Sequence, residues 1–319
     1  MTPLRDNVAM KTTLRTTVFV AASCLAASSL LAQPPAPAAD PAAALISESQ
    51  QLLRDGKADQ ALATARKAMA SFPKSSGAHV QVGVLLDLAG QYAEARQHFK
   101  TAIDTSASPE DSSRALRATA MSYAFEGDCK NVATYDSQVY DRNLTAGDFI
   151  GAGEVANELA RACLESGDAD SAEAWYRKGF DAAMKAPDLK EPQRDLWNFR
   201  WEHAQARVAA RRGNAAAAAP HVAAAKALID KGSIPEQTPF LPYLTGYVAF
   251  YGGNYVQAIS DLGKANQTDP FILCLTAQSL EKTGDAAKAK EFYQRVLTLS
   301  GHNPANAYAR PIARKKVAS

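Results

Sequence analysis

The sequence is poor in the residues that build sheets and in the motifs that mark enzymes. Aromatic residues make up 8% of the 319 positions, and Val and Ile are sparse beside Ala and Leu, which argues against a sheet-rich fold. Charge of one sign is missing too. Against 35 Lys and Arg stand 33 Asp and Glu, so neither a polybasic nucleic-acid arm nor an acidic tail is present. No GxSxG, P-loop, dinucleotide fingerprint, HExxH or paired Cys/His pattern occurs. None of the five His (His79, His98, His203, His221 and His302) forms a nearby dyad with a Cys. No cofactor, no metal and no catalysis are therefore expected. What the chain has in excess is Ala, with 65 residues. Ala is the strongest helix former, and the composition predicts an all-α protein.

The N-terminus has the layout of an export signal. Arg5, Lys11 and Arg15 precede an apolar run from Val18 to Ala32, and the Pro/Ala-rich stretch QPPAPAADPA follows. A charged start, a short apolar stretch and small residues at its end define a secretory signal peptide. Residues 1–32 are read as this signal, with cleavage after Ala32 or, as second choice, after Ala38. Residues 33–41 are read as a linker. The run is short for a spanning helix, which needs about 20 apolar residues, and an uncleaved anchor over residues 18–32 is the alternative. Cys24 raises a lipoprotein reading, against which stands Ala21 at the position three before it. Removing residues 1–32 takes away Arg5, Lys11, Arg15 and Asp6, so the net charge of +2 falls to zero. A periplasmic or secreted protein is expected, with no nucleic-acid partner and with a membrane contact only through the N-terminus.

A repeat organises the remainder. Gly followed by a polar residue recurs at Gly56-Lys57, Gly90-Gln91, Gly127-Asp128, Gly167-Asp168, Gly213-Asn214, Gly253-Asn254 and Gly284-Asp285. A helical pattern precedes and follows each. Gly can end the first helix with a positive φ, and Asp or Asn can cap the second. Small residues recur at three stations. Mid first helix they are Ser49, Gly83, Ala120, Ala160, Ala206, Gly246 and Ala277. Early in the second they are Ala61, Ala95, Val132, Ala172, Ala218, Ala258 and Ala289, and late in the second Ala68, Ala102, Val139, Gly179, Ala225, Ala265 and Val296. Small side chains there let neighbouring helices approach closely.

These units resemble tetratricopeptide repeats, whose period is about 34 residues. The resemblance covers residues 42–301, and Pro73 and Pro270 match the helix-ending Pro of the family. It implies a TPR-like α-hairpin solenoid of about seven hairpins, a right-handed superhelix. Three departures stand out: Glu48 where Leu is preferred, Asp136 at a usually bulky position, and an irregular fifth unit. There the first helix begins near Pro192, and Pro220 predicts a kink or a late start in the second. Residues 302–319 are left as a capping segment or tail, which can close the last repeat or lie in the groove.

By analogy with the family, the first helix of each hairpin lines a concave groove, and the function is protein binding without catalysis. The groove positions give an Arg-rich wall of Arg114, Arg117, Arg161, Arg200, His203, Arg207 and Arg211. An aromatic wall of Phe240, Tyr243, Tyr247, Phe250 and Tyr251 follows. Arg can grip carboxylates bidentately and aromatics supply contact area. The expected partner is a peptide segment of another envelope protein, with an acidic or carboxylate end and an apolar end. The Lys and Asn pair of the family's chaperone-binding carboxylate clamp is not reproduced. Against the groove stands packing of these aromatics on the next hairpin or on the chain's own tail. Two other readings stay open: a carbohydrate-binding protein or enzyme accessory subunit on the same hairpins, and a self-assembling structural module.

Cys129 lies at the turn of the third hairpin and Cys163 near the top of the next first helix, so a disulfide between them is within reach, or they are two buried thiols. Cys274 has no partner and is expected to be half buried, and the basic end Arg314, Lys315 and Lys316 to be solvated. A bridge leaves one titratable thiol in the denatured mature chain; a count of three excludes it.

Overall fold

A computed structural model describes residues 40–318. The expected signal and most of the expected linker lie outside them. The described chain is all-helical, with no strand among the described residues. Seven hairpins follow one another: α1 (Ala43–Arg54) with α2 (Ala58–Ser71), α3 (Ser76–Ala89) with α4 (Tyr92–Asp104), α5 (Pro109–Ala124) with α6 (Cys129–Thr145), and α7 (Phe149–Ser166) with α8 (Ala169–Ala183). They continue with α9 (Glu191–Arg211) and α10 (Ala215–Asp230), α11 (Phe240–Tyr251) and α12 (Tyr255–Leu262), and α13 (Pro270–Lys282) and α14 (Ala286–Thr298). A last helix, α15 (Pro304–Ala318), is unpaired in sequence.

Local chemistry ends and starts these helices as the turns predict. All seven turn glycines have positive φ, between 72° at Gly213 and 101° at Gly167. The side chains of Asp128, Asp168, Asn214, Asn254 and Asp285 accept hydrogen bonds from backbone N–H groups in the first turn of the helix that follows. These bonds satisfy donors that a helix start leaves free.

Packing follows the small stations. Each helix packs on its hairpin partner and on the next hairpin, and successive first helices touch (α1 with α3, α3 with α5, α5 with α7, α9 with α11, α11 with α13). Second helices do not meet one another in this way, so the first helices form the tighter, inner side of the curve. At Gly83 an added Cβ would sit 2.4 Å from the Phe99 ring, and at Gly246 2.7 Å from Leu262. Gly179 and Gly153 bring α8 and α7 together backbone to backbone, each placing a carbonyl oxygen 2.9 Å from the other's absent Cβ.

Some expectations need correction. The helix holding Pro220 neither starts late nor breaks; α10 runs unbroken from Ala215, with Asn214 accepting from Ala217 N at 3.0 Å. Pro220 is exposed and so is Ala216, so water can serve the carbonyl that loses its partner. Pro270 opens α13 as its first residue, behind the capping carboxylate of Asp269, because the missing N–H of Pro is harmless there. Cys274 is fully buried, facing the inner side of α15 with its sulfur near the Ala309 carbonyl.

Cys129 and Cys163 are joined by a disulfide that closes a 34-residue separation and ties the start of α6 to α7. By loop-closure entropy such a link contributes about 3–4 kcal/mol.

The tail is not a loose end. Helix α15 packs on α13 and α14 and also on α5 and α7, so it crosses the hollow between the last hairpin and the third and fourth. Ala309 and Ala313 sink into a cluster with Leu273, Ala277, Leu280 and Tyr293. At the far side Arg310 Nε and Arg314 Nη2 donate to the Leu88 carbonyl at 2.8 and 2.6 Å. That carbonyl belongs to the last turn of α3, where orphan acceptors and the negative end of the helix dipole favour cations. Arg314 is thus partnered, not merely solvated. His302 Nε2 is hydrogen-bonded to Asp87 at 2.8 Å, and Asp87, wholly buried, also accepts from Ser122 at 2.8 Å.

The close approach of α7 and α8 yields a prediction. Gly179→Ala gains about 1 kcal/mol of helix propensity but drives a methyl into a backbone carbonyl, at a cost of about 1–3 kcal/mol. Denaturant unfolding is expected to show a net loss of stability, whereas the same swap at an exposed helical glycine would show a gain.

Candidate functional site

Helix α15 divides the inner face. On one side of it an open cleft of about 1010 Å³ runs along α3, α5 and α7. Val80, Val84, Met121 and Val155 form its floor, and Arg114, Arg117, Glu154 and Glu158 its charged walls. His302 and Asn303, just before α15, close one end. Arg117 pairs with Glu158 across the helices, and Arg114 leans on Asp111 at 3.4 Å. Both arginines are exposed, so neither is committed to a strong internal contact; exposed pairs hold little energy. The predicted positions Arg114 and Arg117 therefore do face an open surface.

Asp136, near this cleft, departs from the pattern of the repeat. It is wholly buried, and neither carboxylate oxygen has a hydrogen-bond partner. Burial pushes its pKa well above the ordinary carboxylate value; the negative charge of Glu158 adds to the rise and Arg117 opposes it.

The rest of the predicted wall, apart from Arg200 beside the cleft's Glu154, is largely closed. Arg200 is partly exposed over the Trp197 ring, with Glu154 3.8 Å away. Arg207, His203, Tyr243 and Tyr247 are buried. Arg207 Nη2 donates to Tyr176 Oη at 2.8 Å, and Tyr247 donates to Glu165 at 3.4 Å. Arg211 donates to Tyr251 Oη at 2.7 Å, and Phe250 stands edge-on to Tyr251 at 4.9 Å. Arg161 stacks on Phe271, 5.3 Å from its ring. Only Phe240, 48% exposed, stands well out of this group. The aromatic wall thus packs on its neighbours, and Phe271 and Tyr308 of α13 and α15 complete it (4.7 Å between rings). One continuous Arg-then-aromatic groove is not what the chain forms, because the tail lies where that groove would run.

Three participants escaped the repeat pattern. Asp87 and the Leu88 carbonyl anchor the tail, and nothing near them in sequence signals a partner more than 200 residues away. Glu158 falls between the positions assigned to the groove and shows itself only through its pair with Arg117. Among the described residues no group of His, Cys, Asp and Glu is arranged to hold a metal, and no helix is long and apolar enough to cross a membrane.

Tetratricopeptide repeat models match residues 47–112, 146–178 and 272–303. The chain is a tetratricopeptide repeat protein. It shares its fold with a tetratricopeptide repeat protein from Parabacteroides merdae, 13% identical, with a TM-score of 0.52 over 87% of this chain and 97% of that one. Looser likeness extends to the hetero-tetramer Cut9–Hcn1 of the APC/C (14% identity, TM-score 0.43, 84% and 48% of the two chains). It extends also to PilW, a type IV pilus biogenesis factor (15% identity, TM-score 0.34, 80% and 91%). No curated protein matches the sequence. Proteins of this family generally bind protein partners, and the fold is that of an interaction scaffold.

Asp136 supplies a pH prediction. Above about pH 4, the ordinary range of Asp, the unfolded chain releases this proton while the folded chain retains it. Stability therefore falls as pH rises, until the folded group ionises. Asp136→Asn removes this dependence. The variant is expected to match the wild type near pH 4 and to exceed it at pH 7 by about 1–3 kcal/mol, the scale of an unpaired buried polar group. Denaturant unfolding across this range checks both points.

Proposed function

We propose that the protein is an exported scaffold that holds a segment of another envelope protein in the open cleft along α3, α5 and α7. The observation that carries this reading is the 1010 Å³ concavity on the first-helix face, left open beside a tail that fills the rest of the hollow. Its apolar floor of Val80, Val84, Met121 and Val155 suits aliphatic side chains, and exposed Arg114 and Arg117 suit carboxylates on the same segment. The acidic end of the expected ligand is assigned here, beside two exposed guanidiniums whose surface ion pairs with Glu158 and Asp111 it can exchange, and not at the packed aromatic wall. Export is supported by the signal-like N-terminus and by the Cys129–Cys163 disulfide, since such bonds persist in oxidising compartments.

Site-directed photo-crosslinking in the native envelope tests this. A crosslinker at Val84, in the cleft, is expected to capture a defined partner that a crosslinker at exposed Thr134, on the outer helix α6, does not. Arg114→Glu is expected to weaken that capture about tenfold, the loss of one charge-assisted contact, with unchanged unfolding. Equal capture from both positions, or capture indifferent to Arg114→Glu, overturns the reading.

A further inference from the structure

Behind the aromatic wall, away from the cleft, α7, α9 and α11 enclose more cation than counter-charge. Arg161, Arg207 and Arg211 surround one buried carboxylate, Glu165. Its contacts are loose. Arg207 comes no nearer than 4.0 Å, Tyr247 stands at 3.4 Å, and Arg211 turns its Nη2 to the Glu165 backbone carbonyl at 3.4 Å. Asp269, the other acid acting on Arg161, is turned to the N-terminus of α13, accepting from Phe271 N at 2.8 Å. Three guanidiniums against two acids leave one positive charge over in this region, where Arg207 and Glu165 are buried and the others partly so. Proteins pair buried charges or hydrogen-bond them.

Hydrogen-bond donors are left over in the same place. Arg161 Nε, His203 Nε2 and Tyr243 Oη are all buried, and none has a partner. They come from three different helices. The His203 and Tyr243 rings are 5.4 Å apart, and Tyr243 and Arg161 meet on Phe271, at 6.0 and 5.3 Å from its ring. His203 is 8% and Tyr243 6% exposed. Burial first, then Arg207 and Arg161, hold His203 well below its usual pKa, so its ring is neutral and can serve as an N–H donor without adding charge. Unpartnered donors from three neighbouring helices and one uncompensated positive charge suit an anion with several acceptor atoms. A halide would leave most of this directionality unused.

We infer that Arg161, His203 and Tyr243, backed by Arg207, form an internal binding site for a small oxyanion of the phosphate or carboxylate class. The occupant is small because three of these four side chains are almost wholly enclosed, and Arg161, the part-exposed member, is its way in. The site is separate from the open cleft and does not depend on peptide binding there.

The whole protein, prepared in phosphate-free chloride buffer, is the material for the test. Sodium phosphate and sodium acetate are titrated separately at constant ionic strength, with thermal unfolding and calorimetry as readouts. One of them is expected to raise the melting temperature saturably, and the one that saturates at lower concentration tells tetrahedral phosphate from planar carboxylate. Tyr243→Phe and Arg161→Gln are each expected to weaken that binding about tenfold or more, as for loss of a hydrogen bond to a charged group. Tyr243→Phe removes only a hydroxyl that has no protein partner, so without the anion the variant is expected to be at least as stable as the wild type. It therefore carries the test even if Arg161→Gln fails to fold. A saturable response that both proteins share equally, or no saturable response to either anion, overturns the site and leaves water as its occupant.

Discussion

Close approach between helices is the constraint on which this molecule rests. A single two-helix hairpin cannot bury its own apolar stripe, and must borrow a surface from the next. Here the loan is possible because side chains at the contact stations are Ala, Gly, Ser or Val. Where the station is Gly, as at Gly83 and Gly179, the neighbour occupies the space of the missing methyl. Dispersion between tightly apposed surfaces then accumulates along the stack. Fixed spacing between first helices in turn defines the hollow on their side, and everything functional in the chain depends on what fills that hollow.

The chain itself supplies part of the filling. Helix α15 carries Ala on the face that meets the last hairpin and Arg on the face that meets the second. Small residues let it lie deep, and the long guanidinium arms reach the carbonyl end of α3. The buried Asp87, held between Ser122 and His302, adds a hydrogen-bonded contact on both of its oxygens, the condition under which a buried carboxyl group is tolerable. The result is a solenoid tied across its own hollow. The open cleft and the closed aromatic region are two consequences of that one helix.

Polar groups inside the closed region contrast with Asp87. Arg207 has Tyr176 as a firm partner, whereas Arg161, His203 and Tyr243 keep donor atoms without any. In a low-dielectric setting an unmade bond costs more than a made one returns. Retention of several such groups within one small region, on the inner face of a scaffold, is the physical reason to treat it as a receptor and not as ordinary core.

Much of the fold was legible because it is local. Gly167 followed by Asp168 is enough to stop one helix and start another, since a positive φ and an N-cap bond involve only the next few residues. The register of each first helix likewise put Arg114 and Arg117 on the inner face. Register could not say whether an inward side chain meets solvent or protein. His203 and Tyr243 sit at positions equivalent to exposed Arg117 and are buried, because they pack on each other and Tyr243 packs on Phe271 of α13. Pro220 does not delay the start of α10 for a related reason: the cost of a proline depends on whether the freed carbonyl can reach water, and exposure is a tertiary property. The sequence alone determined the hairpins, their number and their caps, for those arise from contacts a few residues apart. Only the tertiary structure decided where the tail lies, because the bond from Arg310 to Leu88 spans 222 residues and such pairings are selected by the shape of the finished hollow.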